Sequence, residues 1–249
     1  MTTPLADPIA EARRLAALAA TAGLKVRLLG GVAVAIRAND QLPAGLQRSY
    51  KDLDFVTVKG HAAQFDSLLV DAGYEPDDQF NRLHGAQRRL HYDRANGKQL
   101  DTFVDSFAMC HSLELARRLP DDGMTLSPAD LLLTKLQIIE VNDKDLIDTI
   151  ALLLFHPIEE AGAEVIALDQ LRPVLRADWG WYTTITDNLA KVGTRLATMD
   201  LPEPDGQVVR RRIDELIAAI TAFPKSMKWT LRSKVGRKVP WYDLPEEVT

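Results

Sequence analysis

A chain of 249 residues with 46% hydrophobic and 26% charged side chains is long and apolar enough to bury a sizeable core, as one large domain or two small ones. Its formal charge of −5 excludes a globally basic nucleic-acid binder but leaves room for a local basic groove. A single cysteine, Cys110, excludes an internal disulfide framework and a multi-cysteine zinc site and suits a reducing cytoplasm. No run approaches the roughly 20 consecutive apolar residues of a membrane span, so no membrane partner is expected.

The opening "MTTPLADPIAEARRLAALAATAG" has a superficial likeness to a signal peptide. Acids precede its apolar run, and Arg13 and Arg14 interrupt it, so an amphipathic helix over residues 8–22 explains it better. Ile9, Ala12, Leu15, Ala16 and Ala19 share one face, and Gly23 is the stop. "LKVRLLGG" reads as a short strand ending in Gly30-Gly31, followed by a small-residue helix, "VAVAIRAND". "QLPAGLQRSY" is a loop. "DLDFVTV" is the second strand, and "HAAQFDSLLVDAG" is a helix with Phe65, Leu68, Leu69 and Ala72 on one face. "RRLHYD" and "KQLDTFV" form a hairpin about a tight Asn96-Gly97 turn.

Strand signals fade after residue 107. "TLSPADLLLTKLQIIEV" predicts a helix with Ser127 as N-cap, Pro128 in the first position and Asp130 in the first turn. "DKDLIDTIALLLFHP" predicts another, stopped near Pro157. Further helices are expected over 165–177, 179–198 and 206–222, with Pro173 near a helix start or at a kink. The tail holds Lys225, Lys228, Arg232, Lys234, Arg237 and Lys238 with Trp229 and Trp241. It reads either as a solvated basic end or as a surface holding nucleic acid through phosphates and stacking. The pattern predicts an α+β chain: a small mixed sheet flanked by helices in residues 1–110, then a mainly helical domain in 111–249.

Asp52 and Asp54 interrupt the second strand. Side chains two apart point the same way, so the two carboxylates share a face while Leu53 and Phe55 take the other. Like charges so placed call for a cation between them, and a hard divalent ion such as Mg²⁺ suits oxygen ligands. Asp101, in "QLDTF", is a third acid in an apolar strand. Asp105 has the same parity, and alternation alone does not choose between them. Gly30-Gly31 lets backbone approach a phosphate closely at a helix start.

"LLGGVAVA", "KDLDFV" and "QLDTF" together resemble the three-part signature of the DNA-polymerase-β-like nucleotidyltransferase superfamily, over about residues 24–108. "KLQIIEVNDKDLIDTIALL" is similar to the "K…(R/K)D…D" segment of the AbiEii/AbiGii branch, which includes toxin nucleotidyltransferases. There Lys135 matches the branch lysine, and Asp145 and Asp148 compete for its aspartate. Lys144 stands near the place where the branch commonly has an arginine. The resemblance implies an Mg²⁺-dependent enzyme, with two ions, moving a nucleoside monophosphate from an NTP to an acceptor. The acceptor would be an RNA such as tRNA, a protein or a small molecule. A cognate antitoxin is an expected partner in a toxin–antitoxin setting. Asp52, Asp54 and Asp101 would hold metal, Gly30 and Gly31 would contact phosphates, and Lys135 would offset their charge. Arg48 would neutralise phosphate ahead of the acid pair, or be a plain surface arginine. The active site is expected in the cleft between the two parts.

Each signal also has a plainer reading. A D-x-D can be a solvated strand edge, a Gly pair a tight turn, and Lys135 a snorkelling side chain. Asp145 and Asp148 can be helix-surface residues. His91 and His111 are read as packing rather than proton-carrying, and Cys110 as a small buried hydrophobe. Two other functional classes remain: a non-catalytic nucleotide- or partner-binding member of the fold, and a metal-dependent hydrolase with a chance acid cluster.

Overall fold

The computed structural model describes residues 3–39 and 41–244. Asp40, at the end of the expected helix "VAVAIRAND", and the last five residues of the basic tail lie outside the described residues. The architecture is α+β and divides into two compact units. One contains the residues up to Ile36, Arg48–Phe107 and Leu113–Leu126; the other contains Arg37–Gln47, Ala108–Ser112 and the chain from Ser127.

The first unit is built on a five-stranded mixed sheet. Its strands are β1 (Val26–Leu29), β2 (Leu53–Thr57), β3 (Glu75–Pro76), β4 (Arg88–Asp93) and β5 (Lys98–Val104), in the order β1-β2-β5-β4-β3. β2 and β5 are parallel, and the other pairings are antiparallel. Two short strands, β6 (Ser106–Ala108) and β7 (Ser112–Glu114), form a ribbon of their own. The helices of this unit are α1 (Pro8–Thr21), α2 (Gly30–Arg37), α3 (Lys59–Asp71) and α4 (Asp78–His84).

Asp7 starts α1 by accepting from the Ala10 amide at 2.7 Å, with Pro8 in the first turn. The buried face of α1 carries Ala12, Leu15, Ala16 and Ala19 as expected, but Glu11 is buried and Ile9 only half-buried. Glu11 tolerates burial because its carboxylate accepts from the Leu5 amide, Arg14 and the Tyr74 hydroxyl. On the sheet, Phe55 is fully buried and meets the Phe65 ring of α3 edge-on, with centroids 5.4 Å apart. The outer edge of β1 is covered by residues 124–126: the Leu28 amide donates to the Met124 carbonyl at 2.7 Å, and the Leu126 amide donates to the Leu28 carbonyl at 2.9 Å.

Two local expectations change. The hairpin loop has four residues, because Asp93 pairs with Lys98 and the Asp93 carboxylate accepts from the Asn96 amide at 3.1 Å. Gly97 supplies the left-handed residue at φ +64°. The short helix α4 had no apolar stripe to announce it; none of its residues is buried, and Asp77 caps it by accepting from the Phe80 amide.

The second unit is mainly helical: α5 (Pro128–Leu136), α6 (Asp143–Phe155), α7 (Leu168–Ala177), α8 (Trp179–Leu196), α9 (Glu203–Ala222) and α10 (Met227–Val235). Two-residue strands β8 (Ile158–Glu159) and β9 (Ile166–Ala167) pair in parallel. Ser127 caps α5, accepting from the Asp130 amide at 3.1 Å, with Pro128 first in the helix. Asn188 closes the other end of α5, donating to the carbonyls of Leu136 and Ile138 at 2.8 and 2.7 Å. Pro173 lies inside α7 rather than at its start. α10 was not anticipated, since two proline-bounded pieces obscured it; Ser226 caps it through the Trp229 amide. Cys110 is buried, as a small hydrophobe would be.

His91 on β4 is wholly buried, and neither ring nitrogen has a hydrogen-bond partner among the described residues. Burial pushes its pKa below the ordinary histidine value; Asp66 opposes that shift and Arg89 adds to it. A base held neutral in the fold binds fewer protons there than in the unfolded chain, so stability is complete above about pH 6.5 and falls as pH drops below it. Urea denaturation at about pH 7.5 and pH 5.5 should show this loss. His91→Leu should reduce it, since burial also pushes His111 and His156 below the ordinary histidine value, and an unchanged pH slope in that variant would assign the whole loss to other groups.

Candidate functional site

The pairing of β2 with β5 decides which acids meet. In the parallel register Leu53 lies beside Leu100, Asp54 beside Asp101, and Phe55 beside Thr102. Residues paired across parallel strands face the same side, and neighbouring strands run about 4.8 Å apart. Asp54 and Asp101 are therefore adjacent on the face that Leu53, Phe55 and Leu100 do not use. Asp52 is exposed immediately before β2.

Asp105 does something else. It lies past the end of β5 at φ +62°, and its carboxylate accepts from the Lys59 amide at 2.9 Å, at the first residue of α3. Its backbone carbonyl accepts from the amides of Leu115 and Ala116 at 2.7 and 2.8 Å. The rival with matching parity thus holds a helix start and a chain return.

The glycine pair opens α2 directly after β1. Gly30 takes φ +71°, and a Cβ built there would overlap the Asp54 carboxylate. A Cβ at Gly31 would overlap the Arg48 guanidinium and crowd the Tyr50 ring. Arg48 also lies over Tyr50, 4.5 Å from the ring centroid. Gly30, Gly31, Arg48, Tyr50, Asp54 and Asp101 therefore belong to one constellation in the first unit.

Asp101 is 4% exposed, and each of its oxygens accepts a hydrogen bond. Arg88 Nε donates to its Oδ1 at 2.6 Å, and Gln99 Nε2 donates to its Oδ2 at 2.8 Å. The Arg88 guanidinium lies 5.5 Å from the Phe103 ring centroid and 5.8 Å from that of Phe80. Sequence reasoning missed Arg88, Gln99 and Tyr50. The first two were within reach by counting the hairpin register outward, which sets Leu90 opposite Asp101 and Arg88 opposite Phe103.

Lys135, Asp145 and Asp148 come together within the second unit. The Lys135 ammonium lies 2.8 Å from Asp145 Oδ1 and 2.9 Å from Asp148 Oδ2, with Lys135 11% and Asp148 3% exposed at the side chain. Asp145 and Asp148 are three apart on α6, so both reach the last turn of α5. Burial pulls the Lys135 pKa down, but the carboxylates of Asp148 and Asp145 outweigh it and hold the group above the ordinary lysine value. Both aspartates make the same contact, so neither displaces the other as partner.

The donors around Asp52, Asp54 and Asp101 are carboxylate oxygens, which fit a hard divalent cation. Among the described residues, no three or more His, Cys, Asp or Glu side chains are already gathered as a metal cage. Each Asp101 oxygen accepts one hydrogen bond and keeps a second lone pair, so a cation would share the carboxylate with Arg88 and Gln99.

No family model matches the chain. No curated protein matches it either. A solved structure, described as that of the antibiotic-resistance factor ANT(2'')-Ia with substrate-regulated conformational dynamics, aligns over 84% of this chain and 92% of its own length. The TM-score is 0.36 and the identity 11%. Likeness at that level leaves the functional reading to the residues themselves. No helix among the described residues is long and apolar enough to cross a membrane.

Two substitutions test this packing. Gly30→Ala forces a left-handed alanine, costing about 1–2 kcal/mol, and drives a methyl into Asp54, so thermal unfolding should fall by several degrees. Lys135→Met should cost about 3–5 kcal/mol at neutral pH by leaving two carboxylates without their cation. The raised Lys135 pKa contributes its full stability below about pH 10.4, and that contribution is lost as pH rises through the folded value. A variant as stable as the parent at pH 7 would deny the ion triad that weight.

Proposed function

We propose that the chain is a divalent-metal-dependent nucleotidyltransferase that moves a nucleoside monophosphate from an NTP to an acceptor. The observation that carries this reading is Asp54 and Asp101 in register on adjacent parallel strands, with Gly30 packed against Asp54 and Gly31 against Arg48. In the reaction an acceptor oxygen forms a bond to the α-phosphorus, the bond from that phosphorus to the bridging oxygen breaks, and pyrophosphate leaves. The acceptor proton passes to a base.

Asp52, Asp54 and Asp101 are the residues that would hold Mg²⁺, which when bound supplies positive charge at the phosphates. Asp101 is the proposed proton acceptor, since its Arg88 and Gln99 partners fix its orientation. The amides of Gly30 and Gly31 at the start of α2 suit phosphate oxygens, and Arg48 beside them adds a guanidinium suited to paired phosphate contacts. Catalysis in this scheme is positioning and charge stabilisation. The acceptor would be an RNA such as tRNA, a protein or a small molecule, and a toxin paired with an antitoxin is the proposed setting.

One observation favours a second reading. Both Asp101 oxygens already have partners, and a member of this fold that keeps Arg88 on Asp101 would bind a nucleotide or a partner protein without turnover.

Labelled NTPs, Mg²⁺ and total cellular RNA separate the two readings. Transfer of label with pyrophosphate release supports the enzyme, and metal-dependent nucleotide binding without release supports the non-catalytic reading. Asp54→Ala and Asp101→Asn should each lower transfer by about 100-fold or more. Asp105→Asn should keep transfer near that of the parent, because an amide oxygen still accepts from Lys59. Undiminished transfer in Asp54→Ala would rule out the metal scheme.

A further inference from the structure

The proposed transfer leaves the basic C-terminal segment without a task. Residues 224–244 carry six lysines and arginines against one acid, Asp243, in a chain whose formal charge is −5. α10 forms within this segment, and Lys228, Leu231, Arg232 and Val235 share one of its faces. That face, with Trp179, Trp229 and Trp241, lines an open cavity of about 470 Å³ in the second unit. Three of the chain's four tryptophans converge there.

The indoles are held in place. Trp179 has the Arg232 guanidinium 4.8 Å from its ring and Trp241 edge-on at 5.8 Å. Arg232 also donates to the Gly236 and Val239 carbonyls at 2.7 and 2.8 Å, which ties down the turn after α10. Trp241 donates from Nε1 to Thr184 Oγ1 at 3.1 Å. Trp229 meets Tyr182 edge-on at 5.4 Å, and the Lys225 ammonium lies 5.4 Å from its ring. Rings fixed in advance lose little freedom when a ligand arrives.

The charges select the ligand. Asp178 is the one acid in the lining, and its carboxylate accepts from the Gly180 and Trp181 amides at 2.7 and 3.1 Å. Lys228 is exposed and makes no ion pair among the described residues. Lysine and arginine at the cavity repel a cationic guest, and flat indoles favour a flat one. A nucleotide unit joins a planar group to an anion and so matches both features. Exposed Lys234 and Lys238 continue the positive charge along the chain, beyond what one unit needs. Bases must be unpaired to reach the rings, which points to a single strand.

We infer that this cavity binds single-stranded nucleic acid, with a base against the indoles and flanking phosphates at Lys228 and the lysines that follow it. This second site does not depend on nucleotidyl transfer.

The test uses the whole protein with a roughly 12-nucleotide RNA, followed by anisotropy and by tryptophan quenching. An abasic strand with the same phosphates should bind about ten-fold more weakly. Lys228→Glu, on an exposed helix face, should keep its circular dichroism, lose about five-fold or more in affinity and flatten the salt dependence by about one unit. Without Mg²⁺, free mononucleotide should quench the tryptophans and bind more weakly than the strand, and Asp54→Ala should bind the strand as the parent does. Equal binding of the abasic strand, an unaltered Lys228→Glu, or free mononucleotide binding as tightly as the strand would each overturn the inference. So would uptake by anionic vesicles without oligonucleotide binding, since Met227 and Leu231 on α10 are 80% and 59% exposed.

Discussion

The register between β2 and β5 is the constraint on which the first unit depends. A slip of β5 by one residue would turn Asp101 to the packed side and bring Leu100 out beside Asp54. The apolar partners on the far side resist that slip, because Phe55 is fully buried against Phe65 and Leu100 is fully buried as well. Burial of large side chains on one face thus positions two carboxylates on the other. Gly30 completes the arrangement, since only a residue without Cβ fits beside Asp54.

Each unit meets buried charge with a dedicated set of partners. Glu11, 1% exposed, is met by Arg14, the Tyr74 hydroxyl and a backbone amide. Lys135 is met by two aspartates from the next helix. Asp101 is met by Arg88 and Gln99. Arg88 on β4, Tyr74 beyond α3 and the two aspartates of α6 come from neighbouring elements, so these contacts also fix how those elements align.

Much of this was legible in the residues. The period of two in "DLDFVTV" placed Leu53 and Phe55 opposite Asp54, while Asp52 falls just before the strand, and Ser127-Pro128 marked the start of α5. Strand parity did not choose between Asp101 and Asp105; the family resemblance favoured Asp101, and in the fold the pairing partner and the chain's bend at φ +62° separate the two. Arg88 and Tyr50 escaped notice for a related reason: arginines and tyrosines are common on surfaces, and their value comes from what lies across the strand or the turn. α4 and α10 escaped because neither helix buries a residue, which leaves no apolar rhythm to read.

The covering of β1 by residues 124–126 has a consequence for synthesis. Leu28 and Leu126 are separated by about a hundred residues, so a chain leaving the ribosome carries β1 with one side bare until the return segment emerges. A fragment ended near residue 110 would keep that bare backbone permanently, and strand-to-strand association between copies would be its characteristic failure. Expression of the first unit therefore calls for the chain through Leu126.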